Sequence, residues 1–286
     1  MITKRIFIVG TARAGTTLLQ SMVGNHPSIY TMPETHFFDR SFAKQSILRK
    51  VQGVKKEGIE NARQFVSTQG FTDLAKTINS SYSVSEWAVK LLDLVDQMAI
   101  QSEKEIWLEK TPLHLHYIEL IKKHVEAVFI HLVRAPEGNI ASLMQAGQLH
   151  KAVFKQADFD KALKRWIEEF KIHREYKGQA GHLFVQFEDL LKSKTQTLTD
   201  LFAGLGIPFD SAVLDNTTQA SKIINPEEAW KAKNTESISE SNSQPDSQSG
   251  NLSEGPSEKV KSVLSEKQMQ QITLYTKEFN LAELLA

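Results

Sequence analysis

Gly10, Arg13, Gly15, Thr16 and Thr17 have the residue types and the spacing of a phosphate cradle. A glycine-bounded loop between a strand and a helix turns backbone N–H groups, and the positive end of the helix dipole, on one point. The glycines permit the tight path, the threonines add hydroxyl donors, and Arg13 adds a fixed positive charge. A second anion-binding pair is Arg134 and Ser142, eight positions apart. Such a spacing sets the hydroxyl about two helical turns beyond the guanidinium. A guanidinium fork and a hydroxyl arriving from two elements hold a phosphate dianion between them.

Glu34 and Lys110 each come just after an apolar run. A carboxylate so placed takes the proton of an attacking hydroxyl or amine. A cation offsets the negative charge that grows on a leaving phosphate, a task that suits Arg13, and Lys110 is expected at the same edge of the sheet. Glu34 is the first choice for the base, His36 the nearest alternative and His114 the next. His114 and His116 are two positions apart, point different ways on a helix and make no metal site by themselves.

These residues need strands to carry them and helices to cover the strands. Ile6, Phe7, Ile8 and Val9 read as a buried strand ending at Gly10, and 16–23 as the helix after the cradle. Further strands are expected at 28–32, 106–108, 127–133 and 183–187, the fourth apolar apart from His131. Helices are expected at 86–98, 114–123, from Pro136 onward, near 189–204 and over 266–285. Strands alternating with helices predict an α/β fold, a single domain with a central parallel sheet flanked by helices. The region 37–104 carries several amphipathic helical patterns and few strand signals. The segment 234–258 is rich in Ser, Asn, Gln, Glu and Gly, and its composition predicts a flexible insertion. The C-terminal stretch, 259–286, is expected to dock a last helix on the core.

The chain has 286 residues, 41% of them hydrophobic and 24% charged, which suits one domain with a sizeable core. Lysine plus arginine equals aspartate plus glutamate, so no nucleic-acid or membrane-surface partner is expected. There is no cysteine, which excludes disulfides, thiolate chemistry and cysteine-ligated metals. The apolar run after Lys4 and Arg5 is too short for a secretory signal, and no segment approaches a membrane span. The expected location is the cytoplasm.

The cradle resembles the loop of nucleotide triphosphatases, but Thr16 stands where that loop carries its lysine, which argues against magnesium–triphosphate chemistry. A P-loop kinase or triphosphatase-like phosphotransferase is therefore the second reading, and a non-catalytic binding module on the same fold the third. The closer resemblance is to the sulfotransferases that use 3′-phosphoadenosine-5′-phosphosulfate (PAPS). Their loop reads P-[KR]-S-G-T-T after a strand, and here Ala12 and Ala14 replace its proline and serine. Their second signature, R-D-P followed by a serine, keeps the same spacing here from Arg134 to Ser142, with Ala135 replacing the aspartate. Phe184 to Leu190 is similar to their V-x-Y-E-D-L segment, with Phe187 in place of tyrosine. A piece at 201–209 is similar to their F-L-G-L-P.

The resemblance, strongest to the bacterial and tyrosylprotein-type members, implies a P-loop-like nucleotide-binding core with PAPS as co-substrate and no metal. It implies that Arg13, Ala14, Gly15, Thr16, Thr17 and Leu18 hold the 5′-phosphosulfate, and that Arg134 and Ser142 hold the 3′-phosphate. It gives Glu34 the role of base and Lys110 that of steadying the sulfuryl group. It makes 37–104 a helical acceptor-side insertion, and 221–230 a candidate for closing over the donor. The acceptor is expected to be a small-molecule or carrier-linked hydroxyl, with lipid-like, polyketide and peptide acceptors equally compatible. The oligomeric state stays open.

Overall fold

Side chains along a strand alternate between its two faces, and in the first strand both faces are apolar. Phe7 and Val9 join one core with Trp107 and Phe129. Ile6 and Ile8 join another with Leu108, Ile130 and Leu132. A strand built this way needs cover on both faces and belongs inside a parallel sheet. The computed structural model describes residues 1–149, 158–215, 223–224 and 258–285, and it places this strand, β1 (Lys4–Gly10), at the centre of five. The order is β2-β3-β1-β4-β5. Here β2 is Ile29–Thr31, β3 Ile106–Lys110, β4 Val128–Val133 and β5 His182–Gln186. Every pairing is parallel.

A parallel sheet delivers every strand's carboxyl end to one edge. The residues following β1, β2, β3, β4 and β5 therefore converge there, with β1 flanked by β3 and β4. Ligands of open α/β sheets bind at such a switch point.

Helix α1 (Thr16–Val23) packs on the Ile6–Ile8 face with two helices that follow β5, α10 (Phe187–Lys192) and α11 (Lys194–Leu205). The other face is covered by α2 (Phe37–Ser41), α4 (Lys56–Thr68), α5 (Thr72–Lys76) and α6 (Val84–Gln101), with the short α3 (Ser46–Gln52) beside them. A capping box between Ser83 and Glu86 starts α6. Asp96 then ties that helix to the sheet, accepting hydrogen bonds from Arg5 Nε at 3.0 Å and Trp107 Nε1 at 2.7 Å. A third core forms around Trp166 and Phe170. It joins α8 (Pro136–Leu149) and α9 (Phe159–Glu175) to the C-terminal helices α12 (Glu258–Val263), α13 (Glu266–Thr276) and α14 (Leu281–Leu285).

Three expected helices are divided. The stretch 266–285 breaks after Thr276 because Phe279 turns inward onto Trp166 and Phe170, and the Asn280 side chain then accepts from the Ala282 N–H to restart the helix. The stretch 189–204 begins earlier, at Phe187, and breaks at Ser193. The stretch 114–123 is a 3₁₀ turn, Pro112–Tyr117, leading into α7 (Ile118–Lys122). Apart from Glu258, the segment 234–258 lies outside the described residues, as does 221–230 apart from Ile223 and Ile224. Among the described residues no helix is long and apolar enough to cross a membrane.

His131, the polar residue in β4, is matched within the fold. Its Nδ1 lies 2.8 Å from His173 Nδ1, and its Nε2 lies 2.8 Å from His182 Nδ1. His182 Nε2 faces the Lys122 ammonium at 3.3 Å. An ammonium only donates, so it assigns all the tautomers: His182 and His131 each donate from Nδ1, and His173 Nδ1 accepts. One proton thus sits in each contact only while the rings are neutral. Burial pushes His173 and His182 down to about 4 and holds His131 well below its ordinary value. Neutral rings leave stability intact above the unfolded value of about 6.5. It is lost as pH falls from there toward 4, because the unfolded chain takes up protons that the fold refuses. Urea midpoints should fall across that window as the unfolding free energy drops, by up to about 1.4 kcal/mol per pH unit for each ring. A flat midpoint from about pH 7 to 5 would mean that the folded rings take up protons as readily as the unfolded chain, and would overturn their neutrality.

Candidate active site

The cradle turns tightly because two of its residues adopt left-handed backbone, Arg13 at φ 70° and Gly15 at φ 102°. Ala14 N–H closes the turn on Thr11 O at 3.0 Å, and α1 begins at Thr16. The loop is held from behind. Asn139 Nδ2 donates to Ala12 O at 3.2 Å, and Arg134 Nη1 donates to Arg13 O at 3.1 Å. The side chains of Ala14 and Leu18 are buried in the core, so those residues present only their backbone to a ligand.

Arg134 follows β4 and lies against the cradle. Its guanidinium stacks on the Phe187 ring at 4.3 Å. The same ring lies where a side chain at Gly15 would stand, with Phe187 Cδ2 only 2.3 Å from an ideal Cβ. On the far side, a Cβ on Gly138 would come within 3.1 Å of Arg134 Nε. Two glycines and one ring therefore fix the gap between the cradle and the Arg134 guanidinium. The Arg134 carbonyl accepts from Trp166 Nε1 at 3.1 Å, and Ala135 N–H donates to Glu188 Oε1 at 3.2 Å. Arg134 Nε is buried without a hydrogen-bond partner. That is a spare donor of the kind a phosphate oxygen satisfies. Ser142 stands half-buried in the second turn of α8.

Lys110, at the end of β3, is 1% exposed. Its ammonium donates to Glu34 Oε1 and, at 3.2 Å, to Thr17 Oγ1. One buried cation thereby joins the candidate base to the cradle. Arg13 is close enough to feel the Glu34 charge: burial pushes its guanidinium down, and Glu34 counters. The loop has no lysine of its own, and one reaches it from a neighbouring strand.

Behind Glu34, carboxylates and imidazoles alternate. Glu34 Oε2 lies 3.4 Å from His36 Nε2, and His36 Nδ1 bonds Asp39 Oδ2 at 3.0 Å. Asp39 Oδ1 lies 3.6 Å from His114 Nε2, and His114 Nδ1 bonds Glu109 Oε2 at 2.9 Å. Glu109 also accepts from the hydroxyls of Thr35 at 2.9 Å and Thr111 at 2.6 Å.

Burial alone would lower His114, but the charges and hydrogen bonds of Glu109 and Asp39 outweigh it and raise the ring to about 9. Phe38 N–H also points at His114 Nε2, at 3.3 Å. That contact needs a lone pair and conflicts with a charged ring. The imidazolium is the better account, because two buried carboxylates face the ring and the Phe38 contact is long. Burial raises Glu109, and the charge and hydrogen bonds of His114 outweigh that too, so Glu109 stays below its ordinary range. Asp39 is likewise held far down against burial by both histidines.

Glu34, Arg13, Lys110, Thr17 and Arg134 therefore gather at one edge. His36 lies beside Glu34, whereas His114 is turned into the core and engaged at both nitrogens. His116 faces another way, toward Glu169 Oε1 at 3.4 Å. Sequence reasoning missed Asp39, Glu109, Asn139 and Gly138. Asp39 carried a signal, a carboxylate one helical turn after His36; the others act through contacts between separate elements. Phe187 and Glu188 appeared only within a family-like segment.

A sequence model of the sulfotransferase family matches residues 5–211. No curated protein sequence matches the chain. Solved structures of similar fold include the sulfotransferase domain of the Synechococcus PCC 7002 olefin synthase. It has 18% identity and a TM-score of 0.56, with 96% of this chain and 95% of that one covered. The sulfotransferase domain from the curacin biosynthetic pathway has 18% identity and a TM-score of 0.54, with 97% and 99% covered. Mouse sulfotransferase SULT7A1, solved in complex with PAP, has 16% identity and a TM-score of 0.52, with 96% and 84% covered. The matched span runs from β1 to beyond α11 and takes in both the cradle and Arg134, and the chain belongs to the sulfotransferase family.

Proposed function

We propose that this sulfotransferase moves the sulfuryl group of PAPS to a hydroxyl, or an amine, of a small-molecule or carrier-linked acceptor. The observation that carries this reading is the Lys110 bridge: one buried ammonium bonds both Thr17 of the cradle and Glu34. A base, a cation and a phosphate cradle share one hydrogen-bonded cluster, as an in-line transfer requires. The mouse enzyme of similar fold was solved with PAP, the nucleotide that PAPS becomes on losing its sulfuryl group.

In this reading the backbone of residues 13–18, with Arg13, Thr16 and Thr17, holds the 5′-phosphosulfate. Arg134, through Nε, and Ser142 hold the 3′-phosphate. The acceptor oxygen attacks sulfur, an O–S bond forms, and the S–O bond to the phosphate breaks with its electron pair. Glu34 takes the acceptor's proton. Arg13 and Lys110 offset the charge arriving on the released phosphate. The helices of 37–104 beside Glu34 form the acceptor's wall. The triphosphatase reading is not favoured, because Thr16 leaves the loop without its lysine and the one in space arrives paired to a carboxylate.

Calorimetry tests the 3′-phosphate clamp. Arg134→Ala should weaken adenosine 3′,5′-bisphosphate by roughly 1.5–3 kcal/mol, the usual worth of a hydrogen bond to a charged group. Adenosine 5′-phosphate should lose much less, and equal loss for both ligands refutes the clamp. The base is tested by Glu34→Gln, which should keep bisphosphate affinity while slowing transfer by ~10²–10⁴-fold. Unchanged turnover removes Glu34 from that role.

A further inference from the structure

Glu34 is enclosed, with a side-chain exposure of 9%, whereas His36 beside it is at 24%. A base that takes a proton each turnover must also lose it, and the route past Glu34 Oε1 is held by Lys110. The other oxygen, Oε2, faces His36 Nε2 at 3.4 Å. That separation is beyond the range of about 2.7–3.2 Å for a formed N–H···O bond. On the opposite side of the ring, Nδ1 makes a full bond to Asp39 Oδ2 at 3.0 Å. The bond to Asp39 at Nδ1 thus fixes the ring with its Nε2 edge next to Glu34 Oε2, close enough for a proton to pass between them after a small approach.

The backbone bears a cost for this placement. His36 is held at φ 52°, a left-handed conformation uncommon outside glycine. Its N–H donates to Thr111 Oγ1 at 3.3 Å, and Thr111 is itself bonded to Glu109. Asp39 is steadied in turn by the His114–Glu109 pair in the core. Among the described residues, Glu34 from the loop after β2 and Asp39 from α2 face the ring, and Lys110 from β3 pairs with Glu34. Behind them stand Arg13 in the cradle, and His114 and Glu109.

We propose that His36, oriented by Asp39, takes the acceptor's proton from Glu34 and releases it to water between turnovers. The inference rests on Glu34 being the base. The step balances simply. The proton leaves Glu34 Oε2 for His36 Nε2, Glu34 returns to its anionic form, and the imidazolium passes the same proton to solvent at its exposed edge. Asp39 stabilises the imidazolium while it lasts, through the bond it already makes. His36 is a proton carrier and not the group that meets the acceptor.

The test separates the first turnover from later ones in the full-length protein, using radiolabelled PAPS with a naphthol as the acceptor probe and water as the slow default acceptor. His36→Asn is the variant of choice, because asparagine tolerates the left-handed backbone better than most residues. With anionic Glu34 already in place, the variant should complete its first sulfuryl transfer at close to the parent rate. Later turnovers should slow by roughly tenfold or more, the scale of a lost proton-transfer group. Added imidazole should restore the rate, and the KM for PAPS should not move. A first turnover slowed as much as the later ones, or no rescue by imidazole, overturns the proposal. Glu34→Gln separates this failure from failure of the underlying reading, since it must slow the first turnover itself.

Discussion

Lys110 brings an ammonium group to a position where 1% of its surface reaches solvent. A lone charge so placed would cost several kcal/mol, and only good oxygen partners offset that. Those partners are Glu34 from the loop after β2 and Thr17 from the start of α1. The requirement to solvate one cation therefore draws together the carboxyl ends of β2 and β3 and the cradle after β1. Losing either Lys110 or Glu34 would take from the other a buried, hydrogen-bonded ion partner, which is commonly worse than never having the pair. Structure and chemistry share this constraint, because the atoms that make the cation tolerable also surround the proposed site of transfer.

The second junction is steric. Arg134 reaches the cradle through the carbonyl of Arg13, and the Phe187 ring fills the gap between the guanidinium and Gly15. A side chain at Gly15 would collide with that ring, and one at Gly138 would crowd the guanidinium. Cation–π stacking holds the arginine flat without using its hydrogen-bond donors. Nη1 donates to the Arg13 carbonyl, and Nε is buried with no partner of its own. Phenylalanine in place of the family's tyrosine keeps the stacking surface and gives up only the hydroxyl.

Two buried histidine clusters show opposite solutions to the same problem. The row His131, His173 and His182 lies among aromatic rings and stays neutral, each contact holding one proton. His114 lies between Glu109 and Asp39 and is charged. The difference comes from neighbours rather than depth, since His114, His131 and His173 are all buried. Carboxylates turn the desolvation penalty around; other imidazoles and a lysine do not.

Much of the fold was legible because strands buried on both faces leave unmistakable apolar runs. Each of the five strands lies within two residues of its expected position, and α1 matches at both ends. Helix breaks were less legible. Phe279 reads as one more apolar residue in a helical pattern until Trp166 and Phe170, more than a hundred positions away, give it a reason to turn inward.

At the site, local chemistry singled out the cradle as a candidate, because glycine, arginine and hydroxyl spacing in one loop is already a statement about anions. The sequence by itself determined the parallel sheet and which candidate residues stand at its carboxyl edge, since both follow from short-range pattern. Only the tertiary structure decided which charges pair. The Lys110–Glu34 contact spans 76 positions and the His131–His173 contact 42. Such contacts depend on where strand ends meet in space, and no local pattern of side chains records that.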